Sequence, residues 1–208
     1  SDDSVIPLDS IERAIDRGIE GFGPIVWGVD VGRYGRDRSA LAKRQGAKAF
    51  PLKVWGKKDL METAGIIFNE WENTLEKDRP HKIMIDVIGL GAGVCDRLNE
   101  LKLPVVGVNV AESVSWNKKH PRLRDELWWK VREWFDSNQC DIPDDPVLMS
   151  ELAGPNYKIL SNGQIQVESK DSMKERGLES PDGADAFCLT FCKDEPKVIK
   201  PKEKKHYT

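Results

Sequence analysis

The order of the apolar segments constrains the fold of this chain more than any other feature of its sequence. Three short segments with strand-like patterning come first, at 25–31, 39–44 and 47–55, and glycines or polar turn residues separate them. Helical and strand-like segments then alternate over 58–138. An antiparallel meander followed by this alternation predicts an α/β protein with a central mixed sheet flanked by helices, because alternating helices and strands favour parallel pairing.

The alternating part contains three helical and two strand-like segments, and a hairpin follows it. The segments are helices at 58–75, 90–101 and 123–138 and strands at 81–89 and 103–110. The stretch YKILSNGQIQV at 157–167 alternates apolar and polar residues on both sides of Asn162-Gly163. Because that dipeptide accepts the positive φ angles of a type I′ turn, we expect an extra β-hairpin.

Length and composition bound the domain organisation. With 208 residues, 39% hydrophobic residues and a net charge of −3, the chain is typical of a globular protein with one substantial domain. Residues 1–23 combine a short amphipathic helix with a Gly-Phe-Gly-Pro cluster that breaks regular structure, and we expect a linker there. The folded domain is then expected at 24–195, and the Lys- and Pro-rich residues 196–208 as a flexible tail.

Cysteine spacing and hydropathy indicate the cellular compartment in which the protein is expected. The four cysteines form no CxxC pair of the kind that binds zinc, which indicates reduced thiols. Neither a signal peptide nor a run of about 18 apolar residues is present, so we expect no membrane partner and a cytosolic location. The slightly acidic net charge does not exclude nucleic acid, since binding needs only a local basic face.

Aspartates mark the ends of two strands and the start of the last helix. Asp30 ends the first strand and Asp86 ends the strand KIMID, so the two emerge at one edge if these strands are neighbours. Asp182 and Asp185 lie three residues apart and share a helical face. Each alone is more commonly a cap or a solvated strand end. Together they would repel strongly unless a divalent cation lay between them, and hard oxygen ligands favour magnesium or manganese.

Paired ions of this kind predict a reaction class. Two metal ions bridged by a carboxylate activate a water on one side and stabilise the departing oxygen of a phosphodiester on the other. The acidic cluster therefore indicates a metal-dependent nuclease.

The segments that carry these residues resemble a known family. VWGVDVGRYGRDRSALAKRQG, IMIDVIGLGAGVCDRLNEL and SPDGADAFCLTF, in this order, are similar to the C-terminal nuclease domain of the large terminase subunit of tailed bacteriophages, the motor that packages DNA into proheads. The resemblance covers about residues 24–192 and implies a ribonuclease H-like fold with magnesium or manganese as cofactor. It implies metal-binding and catalytic roles for Asp30, Asp86 and either Asp182 or Asp185, and the choice between the last two stays open.

The resemblance also implies a function and partners. It implies an endonuclease that cuts double-stranded concatemeric DNA with low sequence specificity in the cytoplasm of an infected bacterium. No Walker A motif occurs in the chain, so we expect the ATPase domain to be absent and residues 1–23 to be the end of the linker to it. The implied partners are double-stranded DNA, that ATPase domain, the small terminase subunit and the portal, and the isolated domain is expected to be a monomer.

Basic residues near the acidic cluster are candidate DNA contacts. Arg33, Arg36 and Arg38 follow the first strand, and Lys118 and Lys119 lie in the stretch WNKKHPRLR. Guanidinium and ammonium groups there could bind phosphates, although a solvated hairpin tip is the alternative for the arginines.

Two other functions stay open at this point. One is a Holliday-junction resolvase or a transposase-like enzyme on the same fold. The other is a non-catalytic phage DNA-binding or scaffold module whose acidic edge is solvated.

Overall fold

One mixed β-sheet with helices on both faces organises the chain. The computed structural model describes residues 3–32, 38–112 and 118–193. The strands of the main sheet are β1 (Ile25–Asp30), β2 (Arg38–Gln45), β3 (Lys48–Ala49), β4 (Lys53–Gly56), β5 (Lys82–Asp86) and β6 (Val105–Val108), and a separate pair is formed by β7 (Tyr157–Ile159) and β8 (Ile165–Val167). The helices are α1 (Leu8–Glu12), α2 (Leu60–Glu72), α3 (Gly91–Glu100), α4 (Leu123–Asp136), α5 (Pro146–Ala153), α6 (Lys170–Glu175) and α7 (Asp182–Leu189).

The strand pairing of the main sheet is both parallel and antiparallel. The strand order is β3-β2-β1-β5-β6, and β4 also pairs with β2. β1 is antiparallel to β2 and parallel to β5, and β5 is parallel to β6. Helices α2 and α3 make the crossovers that parallel strands require. The predicted mixed sheet is confirmed.

The third predicted strand, 47–55, is divided in the structure. β3 and β4 are separated by Phe50, Pro51 and Leu52, and each pairs with a different end of β2. Pro51 has no amide hydrogen to donate to a strand ladder, which accounts for the interruption.

Two hydrophobic clusters cover the two faces of the sheet. Successive side chains of a strand point to opposite faces, so Ile83 and Ile85 pack toward α2 and α3 while Met84 packs toward α4, α5 and α7. The face covered by α4, α5 and α7 carries the larger cluster, which includes Trp128 and Phe187. This arrangement places α7 directly against β1 and β2.

The N-terminal segment belongs to the same core. Val5, Ile6 and Ile11 are fully buried in the cluster that α4, α5 and α7 form. The amide of Val5 donates to the carbonyl of Pro155 at 2.9 Å. The apolar side of this segment is therefore covered by residues that lie far beyond Pro24 in the chain.

The extra hairpin is present, but with a turn different from the predicted one. The amide of Leu160 donates to the carbonyl of Gln164, and the amide of Gly163 donates to the carbonyl of Leu160, both at 2.8 Å. Gly163 has a φ of +81°, whereas Asn162 has no positive φ. A type I′ turn needs positive φ at both central residues, so the predicted turn type is wrong, and a three-residue loop ending in a left-handed glycine closes the hairpin.

Helices α5 and α6 were not predicted from the sequence. Each is short, and each begins after a side chain that accepts backbone hydrogen bonds: Asp145 before α5 and Ser169 before α6. Within the described ranges, no helix combines the length and the apolar character that crossing a membrane requires.

Candidate active site

The central parallel pair of strands brings two aspartates to one edge of the sheet. β1 and β5 are neighbours in a register that pairs Val29 with Ile85, so the next residues, Asp30 and Asp86, emerge together. Asp30 is 8% exposed, and Asp86 is half-buried. A Cβ on Gly91 would lie 1.7 Å from the carbonyl oxygen of Asp86, so the start of α3 can lie this close to the strand end only because it is glycine.

Helix α7 brings two more aspartates to the same edge. The helix lies on the backbone of β1, where a Cβ on Gly28 would be 2.0 Å from the carbonyl oxygen of Ala186. Asp182 and Asp185 occupy the first turn of this helix, as predicted, and their carboxylates face the end of β1. The predicted convergence of four aspartates is therefore present in the structure.

The N-terminus of α7 is capped by a residue from another helix. Pro181 occupies the N-cap position, and the hydroxyl of Ser180 donates to Asp182 Oδ1 at 2.6 Å. Glu151 on α5 accepts a hydrogen bond from the amide of Ala184 at 3.0 Å. Its carboxylate thus places a negative charge where the helix dipole favours one and holds the helix that carries the acidic pair.

A lysine that the sequence did not single out lies at the centre of the acidic cluster. The Nζ of Lys170, the first residue of α6, is 2.9 Å from Asp30 Oδ2, 3.3 Å from Asp182 Oδ1 and 3.1 Å from Asp185 Oδ2. Its ammonium thus joins carboxylates from β1 and α7. The one local signal was Ser169, an N-cap residue that begins α6, and nothing in its neighbourhood indicates that the next side chain reaches β1.

Helix α4 contributes a second cation. Arg124 Nε donates to Asp185 Oδ1 at 3.1 Å, and Trp128 Nε1 donates to the same oxygen at 2.8 Å. Arg124 Nη1 also donates to the carbonyl of Glu168 at 2.9 Å. Asp185 is therefore the most firmly held of the four aspartates, and Trp128 combines a fully buried ring with this polar contact.

Burial and mutual repulsion shift the pKa values of these carboxyl groups by different amounts. Burial raises the pKa of Asp30 to about 7, with Asp185 and Asp182 adding to the effect and Lys170 opposing it. Burial also raises the pKa of Asp86. Burial alone would raise the pKa of Asp185, but the charges of Arg124 and Lys170 outweigh it and hold that pKa below its usual range. Asp30 therefore takes up a proton more readily than Asp185 does.

The pKa of Lys170 shows the same balance from the cation's side. Burial would lower this pKa, but the surrounding carboxylates Asp185, Asp30 and Asp182 raise it far above its usual range. The lysine therefore stays charged, and it offsets part of the negative charge of the cluster.

Two adjoining cavities give access to the cluster. A small cavity of about 40 Å³ is bordered by Asp30, Asp86, Asp185, Arg124 and Lys170. An open cleft of about 410 Å³ shares Asp30, Asp86, Arg124 and Lys170 and also reaches Asp182. All four aspartates thus border space that a small ion and part of a larger substrate could occupy.

The donor set fits a hard divalent cation once Lys170 withdraws. All four candidate ligands are carboxylates, and Asp185 Oδ2 is buried 3.1 Å from the Lys170 ammonium without the alignment of a hydrogen bond. Among the described residues, no three acidic, histidine or cysteine side chains already enclose a point where an ion would fit. The Lys170 ammonium lies between three of these carboxylates, so a metal bound there would compete with this lysine for the same oxygens.

Arg38, a predicted DNA contact, has acidic partners in the structure. Its Nη2 lies 2.8 Å from Glu151 Oε1 and 3.7 Å from Glu179 Oε2. Since Glu151 caps α7, the arginine supports the helix that carries two of the four aspartates.

The other predicted DNA contacts lie beside the β7–β8 hairpin or outside the described ranges. Lys118 and Lys119 are exposed beside the hairpin, where the amide of Ile165 donates to the carbonyl of Lys119 at 2.8 Å. Arg33 and Arg36 lie outside the described residues.

The architecture of this chain is similar to that of solved nuclease domains from viruses. The nuclease domain of the large terminase subunit gp2 of bacterial virus Sf6 has a TM-score of 0.76 at 17% identity and covers 91% of this chain and 99% of its own. The same Sf6 domain has also been solved, in a variant form, with manganese and beta-thujaplicinol. The large terminase nuclease from thermophilic phage G20c has a TM-score of 0.65 at 14% identity and covers 91% of this chain and 97% of its own. The nuclease domain from Thermus phage P74-26 has a TM-score of 0.62 at 15% identity and covers 90% of this chain and 94% of its own.

Neither a family model nor a curated protein sequence matches the chain. The structural likeness spans nearly the whole of the compared domains as well as most of this chain. The chain thus adopts the ribonuclease H-like fold of the nuclease domains of bacteriophage large terminase subunits.

Proposed function

We propose that this chain is a metal-dependent endodeoxyribonuclease, the nuclease domain of a phage DNA-packaging terminase. The observation that carries the proposal is the convergence of Asp30, Asp86, Asp182 and Asp185 at one sheet edge in a chain with this fold. Hydrolysis would cut double-stranded concatemeric DNA: a water oxygen bonds to phosphorus, one phosphorus–oxygen bond to a sugar breaks, and the leaving oxygen takes up a proton.

Magnesium or manganese is the proposed cofactor, with two ions and all four aspartates as ligands. Manganese accompanies one solved form of the Sf6 domain and magnesium one form of the G20c domain. When bound, such ions activate a water and stabilise the charge that develops on the phosphate and the leaving oxygen. Asp182 and Asp185 both border the cavities, and either could be the more direct ligand.

The chain's own residues hold the site together before a metal arrives. Lys170 offsets the charge of three carboxylates, and Arg124 and Trp128 fix the orientation of Asp185. Glu151 fixes the start of α7. Carboxylates that are already positioned need little reorganisation when the metal and the substrate bind.

Low sequence specificity follows from a site that meets phosphates rather than base edges. Arg33, Arg36, Lys118 and Lys119 are proposed phosphate contacts, and Arg38 is proposed to act there as well, in addition to its pairing with Glu151. In the complete protein, we propose that an ATPase domain precedes this chain and that the small terminase subunit and the portal are partners in the host cytoplasm. Alone, the domain is proposed to be a monomer.

A plasmid assay tests this function. Supercoiled DNA should be nicked and linearised with manganese or magnesium, while EDTA should abolish cleavage and calcium should support little of it, because its looser coordination suits the transition state poorly. Asp30→Asn is the matched inactive control. Cleavage that survives EDTA contradicts the metal mechanism.

The same preparation separates the rival functions. A strong preference for four-way junctions over linear duplex favours a resolvase. Absence of manganese binding at millimolar concentration, measured by calorimetry, favours a non-catalytic module.

A further inference from the structure

Arg124 is held on two sides and has one end without a partner. It lies in the first turn of α4, and its side chain is only 13% exposed. Nε donates to Asp185 and Nη1 donates to the carbonyl of Glu168. Nη2 is buried and has no hydrogen-bond partner among the described residues.

A buried donor without a partner is unfavourable, and more so when the group carries a charge. Buried polar groups in proteins are almost always satisfied by a protein atom, an ordered water or a ligand. Arg124 borders both cavities of the acidic site, next to Asp30, Asp86 and Lys170. Nη2 itself is closed off from solvent, so a partner from one of these cavities reaches it only after a small shift of the side chains around it.

The chemistry of the missing partner follows from the donor. A guanidinium group binds phosphate oxygens strongly and with defined geometry, and it cannot lose its proton. Two of the three nitrogens of Arg124 are already fixed by protein acceptors, so little side-chain freedom remains to be lost when a ligand binds. A fixed cation beside a hydrolytic site also stabilises charge that develops during the reaction.

The geometry points to Arg124 as a further catalytic residue, whose Nη2 donates to a non-bridging oxygen of the phosphate that is cut. The assignment rests on the proposed function for its substrate. The alternative partner of Nη2 is an ordered water in the cavity of about 40 Å³, which has room for one to a few water molecules.

Arg124 also orients Asp185, so the test must separate the two roles. Trp128→Phe removes a hydrogen bond to the same carboxylate oxygen and leaves Nη2 in place. Asp185→Asn removes the charge that Arg124 pairs with, so adding Arg124→Gln in that background leaves no unpaired buried carboxylate at position 185. Thermal melting of every variant reports whether it folds.

The measurement is equilibrium binding of a short DNA duplex in calcium, by fluorescence anisotropy over a series of salt concentrations. Arg124→Gln should weaken binding by about 10-fold or more at low salt. It should also make the slope of log affinity against log salt shallower by about 0.9, the value for one lost phosphate contact. Trp128→Phe should keep the salt slope of the parent. The salt slope of the double variant Asp185→Asn with Arg124→Gln should be shallower than that of Asp185→Asn alone by the same 0.9.

The outcomes distinguish the alternatives. An affinity and slope unchanged in Arg124→Gln mean that Nη2 is satisfied by water only and overturn the assignment. Equal losses of DNA affinity in Arg124→Gln and Trp128→Phe, with the same salt slope in the double variant as in Asp185→Asn, also overturn the assignment. These results would indicate that Arg124 acts through Asp185. If the parent shows the Arg124-dependent slope but does not cleave DNA with manganese, the phosphate contact stands and the proposed nuclease function fails.

Discussion

Replacing Lys170 by methionine tests whether this lysine holds the metal-free acidic cluster together. Methionine keeps an unbranched side chain but removes the charge that lies 2.9–3.3 Å from three carboxylates. The repulsion among Asp30, Asp182 and Asp185 is then no longer offset by a cation from α6. We expect the metal-free variant to be less stable than the parent.

The magnitude follows from the burial of the partners. Removing one member of a buried ion pair costs about 3–5 kcal/mol, but the Lys170 side chain is 36% exposed, so solvent reduces the loss to about 2–3 kcal/mol. For a chain of this length that corresponds to a fall in melting temperature of about 4–12 °C. Without the lysine, the pKa of Asp30 rises further above its unfolded value, so the folded variant binds more protons and loses stability as the pH rises.

Calorimetric melting in EDTA and in manganese is the assay. Lys174→Met is the matched control, because Lys174 lies one turn further along α6, is exposed and forms no ion pair among the described residues. Manganese at about 100 times the dissociation constant of the parent stabilises the parent by about 2.7 kcal/mol. At the same manganese concentration, the melting temperature of Lys170→Met should rise by more than that of the parent, because no ammonium competes for the carboxylates. A Lys170→Met protein that melts with the parent in EDTA and shows the parent's manganese shift would refute the reasoning.

Four further variants probe the same cluster. Asp30 has a pKa of about 7 against an ordinary 3.8, so the folded parent binds an extra proton between these values and loses stability as the pH rises through that window. In EDTA, Asp30→Asn should therefore melt at or above the temperature of the parent at about pH 8 and show no gain in melting temperature at about pH 4. The variant should also lose cleavage and at least about 100-fold in manganese affinity. Asp185→Asn leaves Arg124 buried without its charge partner and should cost about 3–5 kcal/mol, more than Asp182→Asn, in thermal melts. Of these two, the variant with the larger loss of cleavage identifies the more direct metal ligand, and equal losses would indicate that both bind. Glu151→Gln removes the charge at the start of α7 and should lower stability by about 1–2 kcal/mol, whereas an unchanged melting temperature would contradict the capping role.

Local patterns predicted the parts of the site that lie on regular elements. Asp30 and Asp86 end apolar segments, and the ends of neighbouring parallel strands meet at one edge of a sheet, so their convergence follows once the strand order is known. Asp182 and Asp185 are three residues apart at the start of a helix, and that spacing alone places them on one face. Pro51 was a visible signal for the break in the third strand, because proline cannot donate to a ladder.

The hairpin shows where a local rule stops short. Asn162-Gly163 correctly predicted a reversal of the chain, but the dipeptide is compatible with more than one turn. Beyond the last pair of β7 and β8, Ile159 with Ile165, a hydrogen bond from Leu160 to Gln164 leaves a three-residue loop, in which only the glycine adopts a positive φ. The register of the strands, and not the turn sequence, therefore selected the turn.

Apart from α5 and α6, the sequence by itself determined the order of the elements, the mixed sheet and the positions of the four aspartates, because hydrophobic periodicity and strand ends are encoded in neighbouring residues. Only the tertiary structure decided that Lys170 lies among those aspartates, that Arg124 holds Asp185 and that Glu151 caps α7. Lys170 and Asp30 are 140 residues apart in the chain, and a lysine in a short polar helix has the same local pattern whether it faces solvent or a cluster of carboxylates. Its partners are chosen by how α6 packs against the sheet edge, which is a property of the whole fold.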